Sequence, residues 1–248
     1  MRPRHAVLGC PVDVLDPAEF RASLPELVEA DRLTDIVTLN PEQIMAARRD
    51  PETAALINRA DVCTVDGMGL ALALRMRGIE NVRRITGVDL IASLAEQRIP
   101  LYLLGGAPGA AEQSAQRLAT TIRGAQIAGS WSGGRHSAQD DQQSIARIAL
   151  SGARAVAVAY GAPAQTAWIE RNRAELEGAG VRIAIGVGGD LDYYAGYSRL
   201  APNWVRRAGF EWLYRLVSEP WRVRRQLVLP GFALLAFGEA VRFRLGRP

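Results

Sequence analysis

Residues 35–47 read DIVTLNPEQIMAA. The apolar, β-branched run Asp35–Leu39 is a strand pattern, and it meets Asn40-Pro41 with no spacer. An Asn cap followed by Pro, with Glu42 in the first turn, opens a helix whose first amides are satisfied. The same pattern recurs outward from this stretch. Strand-like runs fall at Ala6–Leu8, Asp61–Val65, Leu101–Leu104, Ala125–Ala128, Ala155–Tyr160 and Val181–Val187. Asp16-Pro17 opens a helix to about Ala30, and Asp50-Pro51 opens another. Further helical patterns cover Gly87–Gln97, Pro108–Thr120, Ala138–Leu150 and Pro163–Glu177. This alternation predicts an α/β fold, a mainly parallel, Rossmann-like sheet with helices on both faces. Ligands of such sheets bind outside the carboxyl ends of the strands.

The chain has 248 residues, 48% of them apolar, which fits one sizeable domain or a domain with an appendage. Two cysteines, Cys10 and Cys63, and two histidines at no ligand spacing argue against a disulfide scaffold or a zinc site. The N-terminal residues lack the apolar core of a signal peptide, so the expected setting is cytoplasmic. All 30 basic residues are Arg, which excludes a catalytic lysine and a P-loop. Residues 199–248 carry a net charge of +7 within a total of +4, leaving −3 on residues 1–198. A mildly acidic body with a basic tail points to an anionic partner.

The strand exits carry the chemical candidates. Thr38 and Asn40 stand at one exit, and Asp66 precedes Gly67 at the next. Gly105, Gly106 and Gly109 follow the Leu101–Leu104 run; Gly161, Pro163 and Gln165 follow Tyr160. Gly186, Gly188, Gly189 and Asp192 follow the last strand. Glycines at strand-to-helix turns let backbone amides approach a phosphate, but any one of them is equally well a tight turn. Leu191 stands where a dinucleotide fingerprint needs its third glycine. Asp66 reads either as a general base or as a helix cap over Met68 and Gly69, and spacing alone slightly favours the cap.

Taken in order, TLNPEQ (38–43), VDGMGLALA (65–73), RITGVDL (84–90), YLLGGAPG (102–109), YGAPAQTAWI (160–169) and the stretch from Gly186 to Arg222 resemble the WecG/TagA/CpsF glycosyltransferases. The resemblance runs from about Cys10 to about Arg225. It implies transfer of a sugar, typically N-acetylmannosamine or its uronate, from a UDP-sugar to polyprenyl-diphosphate-linked N-acetylglucosamine. It gives Asp66 the place of the catalytic base and makes Thr38 and Asn40 positioning residues for sugar and acceptor. It also assigns function to Arg84 and Gln165, and Arg215, Arg222 and Arg225 to the lipid diphosphate. No cofactor and no metal are implied; Asp190-Leu191-Asp192 is formally D-x-D, but Asp192 reads as structural or nucleotide-side. One departure matters: GAPAQT stands where the family has GAPKQE, so Ala164 and Thr166 lack the donor contacts of a lysine and a glutamate.

Segment 199–225 interleaves Trp and Tyr with Arg, which suits a membrane interface as well as single-stranded nucleic acid. Gly209 and Pro220 break it into short helices, which fits a folded appendage better than a nucleic-acid groove. Beyond it, Leu227–Phe243 is apolar, interrupted by Pro230-Gly231 and Glu239, and too short to span a bilayer; it reads as an interfacial segment or a subunit contact. The expected organisation is a transferase core over 1–198 and a membrane-associating appendage over 199–248, peripheral on the inner face of the cell membrane. The expected partners are the donor, the lipid-linked acceptor and anionic lipid, with a possible homo-oligomer and no nucleic acid. Two other classes stay open: a non-catalytic UDP-binding module recruited to membranes, and a nucleic-acid binder using the tail.

Overall fold

A computed structural model describes residues 4–133, 138–199, 201–202, 204–205, 213–214 and 226–245. The chain opens with an antiparallel hairpin, β1 (Arg4–Val7) and β2 (Cys10–Asp13). Six further strands follow: β3 (Thr34–Leu39), β4 (Val62–Val65), β5 (Leu101–Gly105), β6 (Ile127–Trp131), β7 (Ala155–Ala159) and β8 (Ile183–Gly186). They form one sheet in the order β4-β3-β8-β7-β5-β6, parallel throughout. The helices are α1 (Pro17–Glu29), α2 (Pro41–Ala47), α3 (Pro51–Arg59), α4 (Met68–Met76), α5 (Gly87–Glu96), α6 (Ala110–Thr121), α7 (Ala138–Ser151), α8 (Ala164–Arg171), α9 (Arg173–Gly178) and α10 (Asp190–Ala195). A last helix, α11, spans Val228–Arg244.

Strand alternation sorts the core into two sides. Ile36, Leu101, Leu103 and Ile185 face one side, where α1, α5, α6 and Leu191 of α10 cover them. Val37, Leu39, Cys63 and Val65 face the other, under α2, α4 and α11. Farther along that side Tyr102, Leu104 and Val158 pack with Trp168 and Ile169 of α8. The expected α/β architecture is therefore the observed one.

Four local readings change. Ala6–Leu8 does not enter the sheet. Leu8 and Gly9 take positive φ (49° and 86°) and turn the chain back on itself as a hairpin. The hairpin covers the sheet edge instead: Asp13 accepts the Cys63 amide of β4 at 2.7 Å and is held by the Nε and Nη2 of Arg4, each at 2.8 Å. The sixth and eighth strands begin at Ile127 and Ile183, each two residues later than the sequence pattern placed it. The helix expected over Pro163–Glu177 is two, because Asn172 leaves helical geometry and its side chain donates back to the Trp168 carbonyl at 2.8 Å. Finally, Pro230-Gly231 does not interrupt the C-terminal apolar segment. Pro230 sits in the first turn of α11, where its missing N–H costs no helical bond.

The opposite, amino-terminal end of the sheet holds a buried carboxyl. Asp35 on β3 is 1% exposed, and its Oδ1 has no hydrogen-bond partner among the described residues. Burial pushes this carboxyl up to about 7, with nearby Arg173 opposing and Asp61 and Glu170 reinforcing the rise. Asp61 is held low despite its own burial, because it accepts the Asp35 amide at 3.0 Å and pairs with Arg32 at 2.6 Å and Arg173 at 3.3 Å. A carboxyl whose folded pKa is raised favours folding below its unfolded value near 4 and loses that contribution as pH rises through 7. Asp35→Asn should therefore raise Tm at pH 8 by several degrees, on the scale of ~2–4 °C per kcal/mol for a chain this long. The gain should vanish by about pH 4, as read by calorimetry across that range.

Candidate active site

Because all six strands are parallel, all six exits open at one edge. Two of them are locked together. The Asp66 amide, just past β4, donates to the Leu39 carbonyl of β3 at 2.8 Å. Gly67 has φ +80°, and a Cβ there would lie 3.4 Å from Pro41 Cδ and 3.9 Å from Asn40 Cβ. Only glycine adopts that turn without strain, and its bare backbone lets the Asp66 exit close against the Asn40 exit. The cap position of α4 falls on Gly67, so half-buried Asp66 sits one residue outside the place a capping aspartate would take.

Asn40 is itself a cap. Its Oδ1 accepts the Gln43 amide at 3.0 Å, and Gln43 Oε1 accepts the Asn40 amide at 2.9 Å. This reciprocal pair fixes the side chain, worth about 1 kcal/mol, and does not use Nδ2. Arg84 arrives from a distant part of the sequence. The Ile85 amide donates to the Val65 carbonyl at 2.9 Å, and the Thr64 hydroxyl donates to the Ile85 carbonyl at 2.9 Å. These bonds zip the segment before α5 along the outer side of β4 and set half-buried Arg84 beside the Asp66 exit.

Other expected site residues hold the exits in place. Thr38 is 5% exposed, and its hydroxyl donates to the Gly186 carbonyl at 2.9 Å, tying β3 to the end of β8. Gln165 is 2% exposed and lies flat on Gly186, with its Oε1 accepting the Gly188 amide at 2.8 Å. A side chain at 186 would collide with it. Gly161, Pro163 and Gly189 line the same two neighbouring turns, after β7 and β8. One strand farther, Gly105 and Gly106 take positive φ, and Gly109 is the left-handed N-cap of α6. Asp192 reaches this turn from α10, its Oδ1 3.5 Å from the Ala107 amide, and the Tyr197 hydroxyl donates to the Pro108 carbonyl at 3.2 Å. From β4 to β5 this row covers four strand spacings, about 19 Å, enough for a nucleotide-sugar. Arg215, Arg222 and Arg225 lie outside the described residues.

Two contacts were not legible in the sequence. Buried Asp190 packs its carboxylate into the space above Gly87, at the start of α5, and so points away from Asp192. Tyr160 stacks edge-on against Trp168, with centroids 5.9 Å apart, and its hydroxyl reaches the Gly133 carbonyl. The only signal for either was a polar or aromatic residue beside a glycine turn.

The model of the glycosyl transferase WecG/TagA/CpsF family matches residues 5–246. The chain belongs to this family. A WecG/TagA/CpsF member is a glycosyltransferase by descent, and parallel α/β sheets bind their ligands at a row of exits such as this one. Within the row Gln165 is a structural clamp, whatever ligand it meets. Gln165→Ala should cost about 1–3 kcal/mol by leaving the Gly188 amide without its acceptor. Gln165→Glu keeps an acceptor there but buries a carboxyl, so it should recover lost Tm at acid pH, where that carboxyl is neutral, and less at pH 8, as read by thermal unfolding.

Proposed function

We propose that the protein is an inverting, metal-independent glycosyltransferase that moves a sugar from a UDP-sugar to polyprenyl-diphosphate-linked N-acetylglucosamine, with N-acetylmannosamine or a related hexose or uronate as the donor sugar. The observation that carries this reading is the juxtaposition of the Asp66 and Asn40 exits, with Arg84 alongside, in a chain of this family. Asp66 takes the proton of the acceptor 4-hydroxyl as that oxygen attacks the anomeric carbon. The bond from that carbon to the UDP oxygen breaks on the opposite face, and the electron pair leaves with UDP. Arg84 and the amides of the glycine turns offset the charge gathering on the diphosphate. The divergent contacts of Asp190 and Asp192 favour metal independence, since residues two apart on a helix do not share a face.

The membrane side of the proposal rests on α11. No helix among the described residues is long and apolar enough to cross a bilayer. Yet α11 leaves Leu234 74% and Phe237 57% exposed, and Leu227, Val241 and Leu245 continue that stripe beside Arg242 and Arg244. An apolar stripe flanked by arginine suits the headgroup region of an anionic leaflet.

Asp66→Asn should lower release of UDP ~10²–10⁴-fold with a lipid-diphosphate-linked N-acetylglucosamine acceptor, while Tm and UDP binding stay near those of the parent. Turnover of the parent should persist in EDTA; loss there, restored by magnesium or manganese, would refute metal independence. Replacing Leu234 and Phe237 together by Ser should weaken co-sedimentation with anionic vesicles without lowering Tm. If the double variant binds vesicles as the parent does but shifts the sedimentation profile, the stripe is a contact between copies.

A further inference from the structure

We infer that Phe232 of α11 is a positioning residue for the Asp66–Asn40 pair, so that the C-terminal helix is part of the catalytic apparatus and not only a surface element. The inference rests on the reading of Asp66 as the base. Helix α11 packs on α2 and α4, the two helices that begin at the Asn40 and Asp66 exits. Phe232 is 2% exposed and sits where those beginnings meet. A Cβ on Gly69, three residues after Asp66, would lie 3.7 Å from the Phe232 ring and 3.1 Å from Pro41, the residue after Asn40. The Met45 methyl of α2 would lie 3.7 Å from a Cβ on Gly231, next to Phe232. One ring thus closes the far side of the contact whose near side is Gly67 against Pro41.

The rest of α11 fixes the ring in register. Glu239 Oε1 accepts the Leu8 amide at 3.0 Å, and its other oxygen is 3.5 Å from the Arg77 guanidinium. Arg77 follows the last residue of α4, also donates to the Ala6 carbonyl, and stacks over Phe243 with 4.5 Å to the ring centroid. Helix α11 therefore touches α4 at both ends, Phe232 by Gly69 and Glu239 by Arg77, and the two helices run in the same direction. The charged latch sets the register of the two helices, which keeps Phe232 opposite Gly69. A general base must be held to a fraction of an ångström, and a displacement of about 1 Å can cost ~10²-fold in rate.

The test compares Phe232→Ala, Phe232→Leu and Gly69→Ala in the full-length chain with Asp66→Asn and with Phe20→Ala. Phe20 is an equally buried phenylalanine on the other side of the sheet. The readouts are kcat and donor KM from UDP release, and Tm. Phe232→Ala should lower kcat at least ~10-fold with KM changed less than ~3-fold, and Phe232→Leu should restore most of it. Gly69→Ala wedges Pro41 without emptying the core, and it should lower kcat with little change in Tm. Phe20→Ala should lower Tm as Phe232→Ala does but leave kcat within ~2-fold. Should Phe232→Ala not fold, Gly69→Ala decides alone: parental kcat there overturns the inference. So does a kcat loss in Phe20→Ala as large as in Phe232→Ala. If Asp66→Asn turns over normally, the base assignment itself is wrong; if it is inactive while the Phe232 and Gly69 variants are parental, only the positioning role falls.

Discussion

Parallel pairing is the constraint from which the rest follows. A strand can pair in parallel with its predecessor only if the chain crosses back over the sheet, and here helices make every such return between sheet strands. All carboxyl ends then lie on one edge, and residues as far apart in sequence as Asn40, Asp66, Gln165 and Gly186 become neighbours there. The order β4-β3-β8-β7-β5-β6 puts the first two strands of the sheet beside the last. The exit bearing Asp66 consequently touches the exit bearing Asn40, and the exit bearing Gly186 is one strand away.

Polar groups are divided between the two edges in a way that matches their work. At the carboxyl edge, side chains such as Thr38, Asn40 and Gln165 spend one polar atom on a backbone partner, which fixes each in place. At the amino edge, Asp61 and Glu170 form ion pairs with Arg32, Arg59 and Arg173, and Asp35 lies buried beneath them. With no lysine in the chain, arginine forks make these ties, and each guanidinium can satisfy more than one acceptor. Arg173 shows this by reaching both Asp61 and the Leu33 carbonyl. The charged network there lies at the opposite end of the strands from the row of candidate exits.

Helix α11 joins two demands in one element. Phe232 and Ala236 complete the cluster formed by α2 and α4, and Ala240 is buried four residues farther on, while Leu234, Phe237 and Val241 stay outside. A helix apolar on both faces is unusual for a surface position. Its inner face is accounted for by the body, and Glu239, facing the Leu8 amide and Arg77, explains the one acidic residue in an otherwise apolar run. The charge difference that separates 1–198 from 199–248 in the sequence does not follow this packing, because charge reports on solvent and partners, whereas the core is assembled by shape.

Features set by neighbours along the chain are legible in residue order alone. The capped helix starts at Asp16-Pro17, Asn40-Pro41 and Asp50-Pro51 depend on bonds spanning two or three residues, and all three are formed. The strand–helix alternation implies the α/β class and with it the edge where ligands belong, and the ordered motifs carry the family. Features set by distant neighbours are not legible in that way. That Ala6 belongs to a hairpin depends on Asp13 meeting Cys63; that Thr38 is a tie depends on Gly186; that Leu227–Phe243 is one packed helix depends on Leu8, Gly69 and Arg77. Local hydrogen bonding and hydrophobic period are written in the order of residues, and they suffice for the elements and the row of candidate exits. Which exits touch, and which polar atoms remain for a ligand once the backbone has been satisfied, depends on the parallel sheet and α11 closing contacts across up to 231 residues of chain.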